Sequence, residues 1–349
     1  MDKLTKIGMS ALCGTLAAVS AAHAGAISVA GGATATYMSN EGTVTGNPIG
    51  INTGLTFTGT GELDNGTAIT LTITQTDAVA LSAASINMDV PSLGAIKINH
   101  KSGGTGLDII DDMMPTAWEE TNGTGLNTGL ATVSGVGAQV NVGWSVGDGM
   151  LPDGIALDFA WSPRASGGTA SDKGTGGDSA GIGSGWDVVA RYTGIAGLNA
   201  FGGMSTIAQA ARSGANDDTS NAGNGFDGDR TQYAAGLTYA FGGVTAGYQK
   251  SRDNMQPTAA ASASYYDNEA YAVSFQINDD LAISYGIHSS TKYSNDGTNV
   301  ENEGQSIQLS YTMGGASVQI AESSVDNGLY TSGTAQDRDG TTLRLSLAF

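Results

Sequence analysis

Five carboxylates fall in one short stretch of this 349-residue chain: Asp108, Asp111, Asp112, Glu119 and Glu120, interleaved with Leu107, Ile109, Ile110, Met113, Met114 and Trp118. Clustered acids attract cations, and charge arranged around a passage sorts ions by sign. Catalysis is the competing chemistry, and it usually takes a histidine near a nucleophile or a pair of acids. Beyond residue 24 the only histidines are His100 and His288; neither sits in a motif, and no G-x-S-x-G occurs. His100, at the end of a candidate strand, reads as a pore-lining or rim residue. A second acidic group, Asp217, Asp218, Asp227 and Asp229, offers oxygens that calcium favours, but the spacing matches no EF-hand loop. Solvated loop acids are the simpler reading there, loop-bound Ca2+ the weaker one, and no other cofactor is expected.

The elements that must position these residues are strands. The last nine residues place Leu343, Leu345, Leu347 and Phe349 on one stripe and Thr342, Arg344, Ser346 and Ala348 on the other, because successive strand side chains point to opposite faces. About sixteen such runs can be counted, most near the 9–11 residues of a tilted membrane strand or slightly shorter. They cover 26–38, 55–63, 69–74, 83–90, 95–100, 138–146, 155–162, 185–193, 198–208, 231–241, 244–252, 266–277, 281–293, 303–313, 316–323 and the final run from Thr341. The connections alternate between short turns, such as Asp64-Asn65-Gly66 and Gly242-Gly243, and long segments such as 101–137, 163–184, 209–230 and 294–302. Transmembrane barrels keep one rim short and the other long. Aromatics, among them Tyr37, Trp161, Tyr239 and Phe241, gather toward strand ends, where membrane interfaces favour them.

Composition narrows the compartment. Lys3 and Lys6, an apolar run over 7–19 and Ala22-His23-Ala24 form an export signal with an A-x-A cleavage site. The expected division is therefore a removed signal peptide, 1–24, and a single barrel domain, 25–349. The only cysteine, Cys13, leaves with the signal. Loss of Asp2, Lys3 and Lys6 turns 14 bases and 33 acids into 12 and 32, a net charge of −20. Nucleic acid, which demands clustered Lys and Arg, is not an expected partner. Only 13% of residues are charged, 53 are glycine, and no segment beyond the signal has 18 consecutive apolar residues, which excludes a helical membrane protein.

Parity assigns charges to the interior. With Ile96 and Ile98 outward, Lys97 and Asn99 point inward. The same rule turns Asp187 and Arg191 inward, with Asp158, Asp89, Glu62 and Arg344. An Arg or Lys facing lipid at mid-bilayer costs about 2–4 kcal/mol, which favours this assignment. The stretch 101–137 is too long and too apolar for an idle loop. It is expected to fold into the barrel mouth, apolar side on the wall and acids toward water, with Lys97, Arg191 and Arg344 facing the carboxylates across the opening.

Together, the signal, the first strand, the long third loop with Asp111-Asp112-Met113-Met114-Pro115-Thr116-Ala117-Trp118, and the terminal Phe349 resemble the Gram-negative general porins of the alphaproteobacterial kind. The resemblance covers essentially the whole exported chain. It implies an all-β, up-and-down barrel of sixteen strands in the outer membrane, a homotrimer, passive diffusion of small hydrophilic solutes, a third loop inside the pore, and a Phe349 read by the barrel-assembly machinery. By position it implies that Asp108, Asp111, Asp112, Glu119 and Glu120 form the acidic side of the constriction. Many porins of this type carry a dense arginine ladder; this chain has few bases, so cations are the expected preference. A channel selective for sugar or another nutrient is the nearest alternative, and a barrel enzyme a distant one. Outer-membrane lipid and lipopolysaccharide are the expected surroundings, with divalent ions as a conceivable bridge to the acidic loops.

Overall fold

The computed structural model describes residues 25–41, 47–77, 82–165, 182–209, 225–259 and 262–348. The signal segment, Asp217, Asp218 and Phe349 lie outside them. The alternating runs form β1 (Ile27–Glu41), β2 (Ile49–Glu62), β3 (Ala68–Thr76), β4 (Ala83–Val90), β5 (Gly94–His100), β6 (Val140–Val146), β7 (Ile155–Ser162) and β8 (Ile182–Tyr192). They continue with β9 (Leu198–Gln209), β10 (Arg230–Phe241), β11 (Val244–Asn254), β12 (Ala263–Asn278), β13 (Leu281–Ser294), β14 (Asn299–Met313), β15 (Ala316–Asp326) and β16 (Arg338–Ala348). Each strand pairs antiparallel with its sequence neighbours, and β16 pairs with β1 from Gly32↔Ala348 to Glu41↔Asp339, so the sheet closes into a barrel of sixteen strands. Closure removes the edge whose unpaired N–H and C=O groups hydrocarbon could not satisfy.

Sidedness follows from the pleat. On β16, Leu343, Leu345 and Leu347 stand outward and exposed, while Thr342 is buried inside. The same inversion runs round the wall: the exposed set is Ile, Leu, Val and aromatic, and the buried inward set holds Asn99, Asn141, Asp187, Gln232, Asn268 and Asn302. A soluble barrel would have these reversed. Lipid outside and water inside satisfy this arrangement. Exposed Tyr37, Trp161, Trp186 and Tyr233 lie toward the long-loop rim, and Tyr192, Tyr239, Phe241, Phe275 and Tyr311 toward the other. At the short rim β10 turns into β11 through Gly242-Gly243, where Gly242 has φ +60, a left-handed conformation that costs glycine nothing.

Several strands outrun the alternation in the sequence. β2 begins at Ile49, where Ile49 and Ile51 extend the outward stripe past Gly50 and Asn52, residues that read as turn formers. β14 begins at Asn299 and β16 at Arg338, through residues polar on both faces, so hydropathy does not mark them. The ladder continues there because neighbours extend too, as in Thr291↔Glu301 and Ser324↔Asp339. One expectation needs correction: the connection over 294–302 is a tight turn, closed by Ser294 N donating to Thr298 O at 2.9 Å. The long-loop rim therefore includes one short hairpin.

Candidate functional site

Between β5 and β6 the chain leaves the wall and runs through the interior over residues 101–139. Its apolar residues dock first. Leu107, Ile110 and Val133 bury against Val189, Phe201 and Ala234 of β8, β9 and β10, with Ile109, Met113 and Met114 packed alongside. Those wall residues lie on the inward stripe, so the lumen carries one apolar patch where the loop sits. Burying a Leu or Ile side chain in this way contributes about 1.5–3 kcal/mol.

Polar contacts fix the register. Asp187, buried on β8, accepts from Leu107 N and Val136 N, each at 2.9 Å, and so ties both ends of the segment to one carboxylate. The approach depends on glycine: a Cβ on Gly106 or Gly135, both at positive φ, would come within 2.3 and 2.1 Å of Asp187 Oδ2. Gln249 Nε2 on β11 donates to the carbonyls of Ile110 and Asp111, each at 3.1 Å. On β14, Gln308 accepts from Glu119 N at 3.0 Å and donates to Glu119 O at 2.7 Å. Thr342 Oγ1 on β16 donates to Thr124 O at 2.7 Å. The last external loop closes over the far side, with Leu329 N donating to Thr128 O at 2.8 Å and the Tyr330 hydroxyl accepting from Ala131 N at 2.8 Å.

The five carboxylates divide. Asp108 sits near the start of the segment, accepts from Gly104 N at 2.7 Å, and has its pKa raised first by burial. Asp111, Asp112, Glu119 and Glu120 line one recess between the loop and the wall. Burial, then repulsion from Asp108 and Asp112, pushes Asp111 up to about 8. Burial, then Asp112, Glu119 and Asp111, pushes Glu120 up to about 8. Only burial and other acids raise these two; no Lys or Arg among the described residues offsets them.

The inward bases are engaged elsewhere. Arg191 pairs with Asp158 at 2.9 Å along the wall, and Ser145 Oγ donates to the same carboxylate at 2.6 Å. Lys97 Nζ donates to Gly103 O at 2.7 Å, at the root of the loop. Arg344 lies over the Trp118 ring, 5.6 Å from its centroid. Asp89, near the short rim, accepts from Asn87 at 3.0 Å. The expected facing of bases against the loop acids holds for Lys97, whose charge acts on Asp108 and partly offsets the effect of burial there, whereas Arg191 pairs with a wall acid and Arg344 with a ring.

Two inward bases escaped the sequence reading. Arg230 makes a bidentate pair with Asp253, at 2.9 and 2.5 Å, and Arg338 donates to Leu126 O at 2.8 Å and Asn127 O at 3.1 Å. Each sits just beyond an expected strand start, and extending the alternation by one or three residues finds it. Of the two expectations for His100 the rim holds: it shares the outward stripe of Ile96 and Ile98 at the long-loop rim and does not line the pore. His288 faces inward and lines the recess. In the second acidic group, Asp229 accepts from Gln209 N at 3.2 Å, and Asp227 N donates to Gln256 O at 2.8 Å. Among the described residues no group of three or more His, Cys, Asp or Glu could hold a metal ion.

No family model matches the chain, and no curated protein matches it. Solved structures do. OmpF of Salmonella typhi, in complex with daunomycin, is 13% identical with a TM-score of 0.67, over 93% of this chain and 98% of that one. OmpT, an outer membrane protein of Vibrio cholerae, is 10% identical with a TM-score of 0.64, over 95% and 100%. The anion-selective porin from Comamonas acidovorans is 12% identical with a TM-score of 0.60, over 93% and 99%. The fold is that of the general porins. The similar structures include porins from Salmonella, Comamonas and Rh. blastica alike, so the alphaproteobacterial kind is an implication of the sequence.

Proposed function

We propose that this chain is an outer-membrane channel for passive diffusion of small hydrophilic solutes and ions, with a preference for cations, and not an enzyme. The observation that carries the reading is the acidic segment 101–139, docked inside a polar lumen with Asp111, Asp112, Glu119 and Glu120 on one recess and no base set against them among the described residues. Carboxylates at a narrowing raise the local cation concentration and repel anions. Asp108 and the wall charges Lys97, Arg191, Arg344, Asp89, Asp158 and Asp187 complete the lining, several serving to hold the loop or each other.

The same reading includes export by a removed signal peptide, 1–24, a barrel domain over 25–349, assembly guided by Phe349, and a homotrimer among lipid and lipopolysaccharide. The inverted sidedness supports the membrane, and the porin fold supports the outer one. Proteoliposome swelling is the test. Entry rates falling steeply with sugar size, without saturation, fit a general channel; saturation by one sugar favours a selective one. Hydrolysis of lipid or peptide without swelling would replace both with an enzyme.

A further inference from the structure

Two bases among the described strand residues point out of the barrel: Lys250 and Arg252, consecutive outward positions of β11, both exposed between the buried, inward Gln249, Ser251 and Asp253. The other described strand bases, Lys97, Arg191, Arg230, Lys292, Arg338 and Arg344, take inward positions. The register sets the level of the outward pair. Lys250 lies opposite Ala235 and Arg252 opposite Tyr233 on β10, and Tyr233 is one of the exposed aromatics of the long-loop rim. Aromatic belts mark the headgroup level of a membrane. Arg252 therefore stands at that level and Lys250 one outward step beneath it, where a lysine stem carries its ammonium up toward the headgroups.

The acids beside them are already occupied. Asp267, opposite Arg252 on β12, accepts from Arg252 Nε and Nη2 at 2.5 and 2.6 Å. Those bonds use one edge of the guanidinium and leave Nη1 open, while the group lies over the Tyr265 ring at 4.7 Å and Tyr265 stacks on Tyr293 at 4.3 Å. The guanidinium is thus held in place with donors to spare. Glu269, opposite Lys250, accepts from the hydroxyls of Tyr248 and Tyr271 at 2.7 and 2.6 Å. The Lys250 charge acts on that carboxylate, yet no described residue makes a hydrogen bond or ion pair with its ammonium. A charge on the lipid side without a partner is costly. The missing component is an anion.

We infer that Lys250 and Arg252 bind the phosphate of an outer-leaflet lipid headgroup, the ammonium as a point charge and the guanidinium through its open edge, with the acyl chains against the apolar stripe beneath. Phosphate suits this pair because its oxygens accept several charge-assisted hydrogen bonds at once. The surroundings favour a lipid over a free ion: the exposed residues below the pair are Leu237, Val244, Tyr248 and Val273, an apolar surface that acyl chains cover and water does not. The inference rests on the membrane reading and is independent of the pore, since both side chains face away from the lumen.

The test is native mass spectrometry of the full-length exported protein released from detergent micelles, titrated with lipid A, with its dephosphorylated form, and with lipid A in the presence of inorganic phosphate. Lipid A is expected to be retained at concentrations about ten-fold below the dephosphorylated lipid and to resist displacement by the free ion. Lys250→Gln/Arg252→Gln should lose about ten-fold of that affinity, and Lys250→Arg should keep it. Lys250→Gln alone leaves the Arg252–Asp267 pair intact and should weaken retention too, which gives a second variant if the double one folds poorly. Equal retention of the two lipids, retention unchanged in both glutamine variants, or displacement by inorganic phosphate overturns the inference. Conductance in planar bilayers should be the same in every variant, so a lost lipid preference in conducting channels separates this site from the pore. Absence of conductance in the unsubstituted protein would overturn the channel reading alone.

Discussion

Asp187 is a wall residue whose one carboxylate accepts hydrogen bonds from both ends of the inserted segment. Hydrogen bonds to a charged group contribute about 1.5–3 kcal/mol each, so Asp187→Ala should release the loop root more than any exposed substitution. The expected outcome is protease cleavage within 101–139 and a larger, noisier conductance, with the barrel otherwise folded. Gly135→Val should behave alike, because its Cβ would meet the same carboxylate. The acids of the recess predict a pH dependence. Asp111 and Glu120 titrate near 8, above their ordinary values of 3.8 and 4.5, so both are mainly neutral at pH 6 and charged at pH 9. Cation selectivity should rise across that interval, and Asp111→Asn/Glu120→Gln should flatten the rise. Stability has the opposite sign: the folded state holds more protons than the unfolded one between about pH 4 and 8, so ionising this pair weakens the fold as pH increases.

At the scale of elements, two loops lock each other. Tyr330 from the last external loop reaches Ala131 N and lies 2.6 Å from Ser290 Oγ on β13, beside Asn327 and Leu329 in left-handed conformations. Such backbone costs about 1–3 kcal/mol per non-glycine residue, which the docking contacts offset. Tyr330→Phe should therefore free the distal half of 101–139 and produce faster hydrogen exchange at Ala131, with little change in the strands. The strands themselves were legible because lipid and water impose alternation wherever both are present. Legibility failed where that contrast ends: Asn299–Asn302 and Arg338–Gly340 stand above the apolar band and follow their neighbours' hydrogen-bond ladders. With those extensions unmarked, Arg338 was lost from the site, and Arg230, one residue before an expected start, was lost with it. The inward fold of the acidic loop was legible from its apolar residues, but its partners Gln249, Gln308 and Gln232, which accepts from Gly135 N at 2.6 Å, were not, since a glutamine on an inward stripe looks like any pore-lining residue.

On the scale of the whole molecule, sixteen strands, two aromatic rims and a polar interior make a wall that is stable only between lipid and water. Each inward arginine described above is engaged by a wall acid, a loop carbonyl or a ring. Asp111 and Glu120 of the loop lack that compensation, and the preference for cations lies in this imbalance. Its most direct measurement is the zero-current potential of the purified protein in a planar bilayer, with a ten-fold KCl gradient at pH 9. The expected potential has the sign that marks potassium as the more permeant ion, and is reduced toward zero in Asp111→Asn/Glu120→Gln. A potential of chloride sign, or one the double variant leaves unchanged, would contradict it.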